Sequence, residues 1–466
     1  MSTIASSNLT AGFIDLATFD EIEKYMYGGD DAAAYFVREV RKSTWFTQVP
    51  VVLSRASGSP AFNQEWSVNI SRAGDYLMYA WLRVTIPSVQ LLDTNAFGVN
   101  GRIRWTRNLM HNLIRECALT FNDLQAFRFD NYHLDFWSAF TTPSGKRNGY
   151  QNMIGNFGDV INPRGPTRAI PSFTLNLPLP FFFSRDTGVA LPTAALPYNE
   201  MRIVFNFRNW SDLLILDNGN AAAGAAPSRA PLSTELVGGA PVLGTTQVWA
   251  NYAIVSTDER KRMACAPRDI LIEQVQTAPR QSYIAGGNNS TPSFDLRFSH
   301  ANKVLFFAAR NTTNAAEWSN YTTASPVPGG VGSETINFAP SGSVDPILAT
   351  SLTYESTQRL AAMGSDYFCL VNPWYHAPVI PLDTGYHMYS YSLDFISLDP
   401  MGSTNYGKLT NVSIAPEASA VAVTNAKGLG AAGSGADYTQ TFEFVTTTVN
   451  NNIIRISGGA LGFPVL

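Results

Sequence analysis

The chain is short of charge. Of its 466 residues only 15% are Asp, Glu, Lys or Arg, against roughly a quarter in an ordinary soluble domain. The formal net charge is −4. A mildly acidic chain has no electrostatic footprint for the phosphates of nucleic acid or for an anionic membrane, so no direct nucleic-acid partner is expected. Histidine is scarce as well. His111, His133, His300, His376 and His387 form no H-x-H, H-E-x-x-H or Cys/His cluster. No metal site is therefore expected, although a zinc site assembled from residues distant in sequence stays open. The three cysteines, Cys117, Cys265 and Cys369, lie far apart in apolar or mixed runs. They read as buried thiols of a reducing compartment rather than as a disulfide framework. No run of about 18 apolar residues is present to cross a bilayer as a helix. Met1–Thr10 has neither a basic n-region nor an apolar h-region, so nothing directs secretion. On that expectation the sequons at Asn8, Asn69, Asn209, Asn288, Asn311, Asn320 and Asn411 are chance occurrences.

Signatures of catalysis are equally sparse. There is no G-x-S-x-G elbow and no sequence-level Cys–His pairing. Gly428-Leu-Gly-Ala-Ala-Gly433 matches G-x-G-x-x-G letter for letter. A dinucleotide site, however, needs that run between a strand and a helix of a βαβ unit, and here it continues into Ser434-Gly435-Ala436-Asp437. It reads as a glycine-rich loop. Carboxylate pairs for glycoside hydrolysis require proximity in space rather than in sequence, so that class is the least firmly excluded. The expectation is a non-enzyme with no catalytic or cofactor-binding residues and no cofactor. Around Trp105, Arg102, Arg104 and Arg107 form the one basic–aromatic cluster with a hint of nucleic-acid character; in an acidic chain a solvated or interface-pairing face is favoured. Arg185-Asp186 reads as a local turn ion pair.

Aromatic residues, by contrast, reach 12%. Little solvated face and much Phe, Tyr and Trp fit a chain whose outer surfaces are covered by other subunits; a β-rich monomer with polar uncharged loops fits equally. The aromatics fall in short alternating runs bounded by Gly, Ser and Pro, at Trp45–Ser54, Gln64–Ser71, Tyr76–Ile86, Leu113–Phe121, Met201–Phe207 and Gln247–Val255, as strands of a sandwich or jelly roll do. Asn122–Phe140 fits neither period and reads as a helix with broken ends; Thr141–Pro171 reads as loop. Pro178 and Pro180 mark an edge or a strand entry, because proline donates nothing to a ladder.

The alternation is written twice. Trp66-Ser-Val-Asn-Ile-Ser-Arg-Ala73 aligns without gaps on Phe294-Asp-Leu-Arg-Phe-Ser-His-Ala301, and each continues into an apolar run, Leu77–Trp81 or Leu305–Phe307. Thr47–Val49 echoes Glu273–Val275 in the same order. A weaker echo sets Leu175–Phe207 against Asp366–Leu393, Phe181 on Phe368 and Met201 on Met388, which requires about forty extra loop residues in the first copy. A period this long means duplicated domains rather than solenoid units. The organisation expected is an N-terminal arm (1–44), a first β domain (45–257), a linker (258–269) and a second β domain (270–466). In the arm, Thr18-Phe-Asp-Glu21 has capping-box spacing, and Gly28-Gly29 stops the helix that follows.

Several long blocks carry a resemblance: TWFTQVPVVLSRASGSPAFNQEWSVNISRAGDYL, LNLPLPFFFSRDTGVALPTAALPYNEMRI, SDYFCLVNPWYHAP, DPMGSTNYGKLTN and NNNIIRISGGALGFPVL. End to end the chain resembles the iridovirus major capsid proteins, within the wider capsid family of the nucleocytoplasmic large DNA viruses. The resemblance implies an all-β double jelly roll of two tandem eight-stranded sandwiches. It further implies homotrimers forming pseudo-hexagonal capsomers that tile an icosahedral virion shell over an inner membrane, assembled in the host cytoplasm. Partners implied are neighbouring capsomers, minor capsid and penton proteins, and the membrane through the minor proteins. By the same analogy the loops near 209–246, 311–335 and 416–437 include outer tower loops, and the arm lies on the inner side against minor proteins. The alternative is a lectin-like or carbohydrate-active jelly roll, which would be a monomer or dimer with an aromatic-lined cleft. The absence of D-x-[DN]-x-[DN]-G loops counts against a calcium-dependent form of it.

Overall fold

Sixteen strands carry the fold in the computed structural model, which describes residues 8–161, 168–219, 228–287, 291–324, 344–428 and 439–464. The first eight are β1 Phe46–Val52, β2 Glu65–Asn69, β3 Tyr76–Ile86, β4 Ile114–Phe121, β5 Leu124–Asp130, β6 Phe173–Pro178, β7 Met201–Phe207 and β8 Thr246–Val255. They make two antiparallel sheets, ordered β1-β8-β3-β6 and β2-β7-β4-β5, with a short strand at Arg55–Gly58 added beside β2. The second eight are β9 Arg268–Thr277, β10 Phe294–Asp295, β11 Ala301–Asn311, β12 Ile347–Tyr354, β13 Thr357–Gly364, β14 His387–Ser390, β15 Val412–Ala418 and β16 Phe442–Ser457. Their sheets run β9-β16-β11-β14 and β10-β15-β12-β13. Each order is the other shifted by eight strands. That is the jelly-roll topology, present twice.

Period-two alternation decides which face is core. Along β7 the residues Met201, Ile203, Phe205 and Phe207 are buried while those between are half-exposed, as the pleat demands. Phe205 lies opposite Trp66 of β2 on one side and Cys117 of β4 on the other, and the Trp66 and Phe205 rings stack with centroids 5.7 Å apart. In the second roll Ile414 of β15 occupies the matching place, opposite Phe294 of β10 and Leu352 of β12. The sequence match of Trp66 with Phe294 is thus a match of structural position.

The weaker echo is not. Met201 lies in β7, the second strand of its sheet, whereas Met388 lies in β14, an edge strand of the other kind of sheet. The counterpart of β14 is β6, whose Pro178 pairs with Trp81 much as Tyr389 pairs with Leu305. Phe368 belongs to a helical turn, Tyr367–Val371. Apolar runs punctuated by proline recur wherever a strand leaves a sheet, so they align without being equivalent. The edge position expected from Pro178 is what β6 occupies.

Other departures have local causes. Asn122–Phe140 is β5 followed by the helix Asn131–Thr141, a period of two joined to a period of 3.6, and Asp130 caps the helix by accepting from the His133 amide at 3.0 Å. The stretch 141–171 contains the helix Ser144–Ile154, ended by Gly155 at φ 93°, where a residue with a side chain would be strained. The charged run after Ser256 forms a helix, Thr257–Cys265, with no buried residue, and Cys265 is exposed there, unlike buried Cys117 and Cys369. The chain divides into two units, Met1–Trp45 and Phe46–Leu466. In the first, Thr18 closes a helix, Leu9–Ala17, by donating its hydroxyl to the Asp15 carbonyl; the following helix, Glu21–Met26, begins at Asp20 without a side-chain cap. No described helix is long and apolar enough to cross a membrane.

Candidate functional site

The most elaborate chemistry of the described chain lies in the seam between the rolls. The helix Asn131–Thr141 of the first roll presents Phe136 and Phe140 to Phe306 of β11, with centroids 5.7 and 5.5 Å away. In return, residues 312–324, which follow β11, reach into the first roll. The Trp318 amide donates to the Thr106 hydroxyl (2.9 Å) and its indole N–H to the Asp212 carbonyl (2.8 Å). The guanidinium carbons of Arg208 and Arg310 stand 3.7 and 3.6 Å from the Trp318 ring centroid. Two groups so close cannot share one face, so the indole is sandwiched. Burial lowers the Arg208 pKa to about 10, leaving it charged at neutral pH.

Beneath the indole, Asp135 is fully enclosed. One oxygen accepts from the Ser319 and Tyr321 hydroxyls, both at 2.8 Å, and the other from Asn108 and His111 Nδ1. A second buried carboxylate, Glu273 of β9, meets Lys303 of β11 at 2.5 Å and Arg185 of the first roll at 2.7 Å. Arg185 is thus no local partner of Asp186; its guanidinium also lies 3.7 Å over the Trp137 ring. An isolated buried charge is costly, and a buried carboxylate with aromatic cover outcompetes an exposed one for the guanidinium. The Arg102–Arg107 cluster is likewise paired within the chain, with Arg102 and Arg107 half-exposed. Arg104 is buried against Asp217 at 2.6 Å, Trp105 is fully buried and Arg107 reaches Asp383 at 3.3 Å. It forms no continuous basic track.

Among the described residues, two cavities beside the seam hold no pair of free carboxylates. A groove of about 560 Å³ between Trp137, Met153 and Leu179 has no acidic residue in its lining. A cavity of about 210 Å³ nearby is bordered by Asp135 and Asp383, both engaged as described. Of the histidines, His133 is buried and held neutral, its pKa lowered to about 3 by burial and by Arg185. His387 is different. With Asp345 and Cys369 it forms a cluster whose ligand atoms all lie within 4.8 Å of one another. No spacing rule marks these three positions, and only the fold brings them together. The Gly428–Gly433 run lies outside the described residues after its first glycine.

Outward, the surface carries uncovered apolar groups. Every residue of edge strand β1 except Val51 is exposed, leaving a ladder of unpaired backbone groups. Trp374 and Tyr375 are 71% and 74% exposed and Leu393 72%. The two segments are neighbours: His376, beside Tyr375, contacts the Leu393 carbonyl at 3.1 Å. In the separate N-terminal unit, Leu9, Phe13, Ile14, Leu16, Ile22 and Met26 are all exposed. Patches of this kind mark interaction surfaces.

Known proteins resemble this chain along its whole length. Residues 34–255 match the family model described as major capsid protein N-terminus, and residues 259–462 match that of the large eukaryotic DNA virus major capsid protein. The major capsid protein of Costelytra zealandica iridescent virus is 66% identical over 468 residues, covering 100% of both chains. That of Frog virus 3 is 46% identical, again over 100% of both. Among solved structures, a chain of the PBCV-1 virus capsid superposes with a TM-score of 0.72 at 20% identity, over 93% of this chain and 100% of its own. The Faustovirus major capsid protein superposes at 0.68 and 11% identity, over 94% of each. These last two are likenesses of fold.

Proposed function

The chain belongs to the large eukaryotic DNA virus major capsid protein family, and on that premise we propose that three copies assemble into a pseudo-hexagonal capsomer that tiles an icosahedral virion shell. The observation that carries this reading is the end-to-end identity with iridescent virus major capsid proteins. Two similar sandwiches joined rigidly let a threefold assembly present six jelly rolls and occupy a sixfold site. The buried seam supplies rigidity: a capsomer transmits neighbour contacts only if its rolls do not hinge. The open edge of β1 and the Trp374–Tyr375–Leu393 surface offer the apolar area that obligate interfaces consume.

In this reading residues 45–257 and 270–466 are the two rolls, 258–269 the link and 1–44 an inner arm. The arm's uncovered apolar side chains dock on minor capsid or penton proteins, through which the shell meets the inner membrane. The loops near 209–246, 311–335 and 416–437 contribute outer towers, assembly proceeds in the host cytoplasm, and the chain turns over no substrate. Within these stretches residues 312–324 serve the seam instead, the Asp212 carbonyl meets Trp318 there, and the strand Leu214–Asn218 is buried against Arg104.

Light scattering on the purified chain, with negative-stain images of the same peak, tests the proposal. A mass of about three chains and a hexagonal outline is expected. A folded monomer that persists at high concentration would overturn it.

A further inference from the structure

In the second roll three side chains from separate segments converge. His387 opens β14, Cys369 sits in the helical turn Tyr367–Val371, and Asp345 precedes β12. His387 and Cys369 are 0% and 1% exposed. The imidazole is fixed twice over. It stacks on the Phe307 ring, centroids 4.9 Å apart and planes 10° from parallel, and its Nδ1 lies 3.2 Å from the Phe307 carbonyl. A backbone carbonyl at Nδ1 selects the tautomer protonated there, so the lone pair is left on Nε2; this is the arrangement by which proteins orient a metal-binding histidine.

Asp345 is held in the same way. One carboxylate oxygen accepts from the Ile347 amide at 2.9 Å, which turns the other, Oδ2, inward. That oxygen is 2.6 Å from His387 Nε2 and 3.9 Å from the Cys369 sulfur. Yet Nε2 makes no hydrogen bond of acceptable geometry: the carboxylate oxygen lies off the ring's donor axis. A buried nitrogen, a buried thiol and an inward carboxylate oxygen therefore lie within 4.8 Å of one another, with Oδ2 close to the nitrogen but off its axis.

We propose that Asp345, Cys369 and His387 form a zinc site, with a fourth position left for water. One nitrogen, one sulfur and one oxygen donor form a set that suits zinc, and hard cations such as calcium or magnesium would not choose a thiolate. Tetrahedral zinc sets its donors about 3.5 Å apart, so Nε2 and Oδ2 separate by about 1 Å to admit the ion. Zinc would supply the charge that turns the Cys369 thiol into a thiolate. The ion would staple the approach to β12, the 367–376 helical turns and edge strand β14, segments also joined by packing of Phe307, Phe368 and Tyr389 and by the Ser390 amide donating to Asn372.

The test is metal content of the full-length chain purified without chelators, supplied with zinc and desalted. About one zinc per chain is expected. Cys369→Ser and His387→Gln should each hold below about a tenth of that, while Cys265→Ser, at the exposed cysteine, should hold the full amount. Cobalt-loaded wild-type chain should show a sulfur-to-cobalt charge-transfer band in the near ultraviolet, which reads the site without any variant that might misfold. Wild-type chain that retains no more zinc than Cys369→Ser and shows no such band with cobalt would overturn the proposal. The cluster would then be a buried imidazolium–carboxylate pair.

Discussion

Phe136 of the first roll and Phe306 of the second are stacked with an offset, their ring planes 6° from parallel, and both are fully buried. The contact ties a helix laid over one sandwich to a central strand of the other. Phe136→Ala should therefore cost about 3–5 kcal/mol, the usual range for a deleted core aromatic. Denaturant unfolding followed by near-ultraviolet circular dichroism checks it; a loss below about 1 kcal/mol would mean that the seam collapses around the gap.

The Trp318 sandwich links the rolls in the opposite direction. Trp318→Ala removes the aromatic spacer between Arg208 and Arg310 and three cross-roll contacts at once, to Arg208, Tyr132 and the Asp212 carbonyl. The wild-type chain should melt in one calorimetric transition and the variant in two, since each roll keeps its own sheets. Trp318→Phe, which preserves a ring, should retain the single transition.

Acid should weaken the chain through His133. The folded state holds this imidazole neutral, with its pKa lowered from 6.5 to about 3, between the Phe129 and Trp137 rings and facing Arg185, itself paired with Glu273. Below pH 6.5 the unfolded chain binds a proton that the folded chain refuses. Stability then falls by about 1.4 kcal/mol per pH unit from near 6.5 toward 3. The stability difference between wild type and His133→Gln, measured at pH 7 and pH 5, should change by about 2 kcal/mol in favour of the variant at the lower pH.

Only one thiol should be reactive in the native state. Cys265 is exposed, whereas burial raises the Cys117 thiol well above its ordinary pKa and raises Cys369 too. An aromatic disulfide reagent should titrate one cysteine per folded chain and all three after denaturation. Rapid reaction at Cys369 would contradict the packing around it.

Removing residues 1–44 should leave the melting temperature nearly unchanged. The described residues of this segment are exposed apart from half-buried Glu23, so little core is lost. The truncated chain should still form particles of the wild-type mass by light scattering, with any loss appearing in capture of minor capsid proteins.

The sequence by itself determined the duplicated sandwich, because alternation at a period of two fixes which face of each strand is buried, and Trp66–Ile70 and Phe294–Phe298 carry that alternation in register. Its long blocks also determined the family. The tertiary structure alone decided which strands are equivalent, since Met201 and Met388 align by letters but lie in different kinds of sheet. It also decided the partners of charge: Arg185 bypasses Asp186 for Glu273, and Arg104 turns inward to Asp217. Burial penalises an unpaired ion wherever its partner sits in the chain, so no local spacing encodes the choice. For the same reason Asp345, Cys369 and His387 were invisible as a set. Metal-ligand motifs are legible when a turn or helix fixes the spacing, and here a strand entry, a helical turn and a loop are brought to one point only by the closing of the second roll.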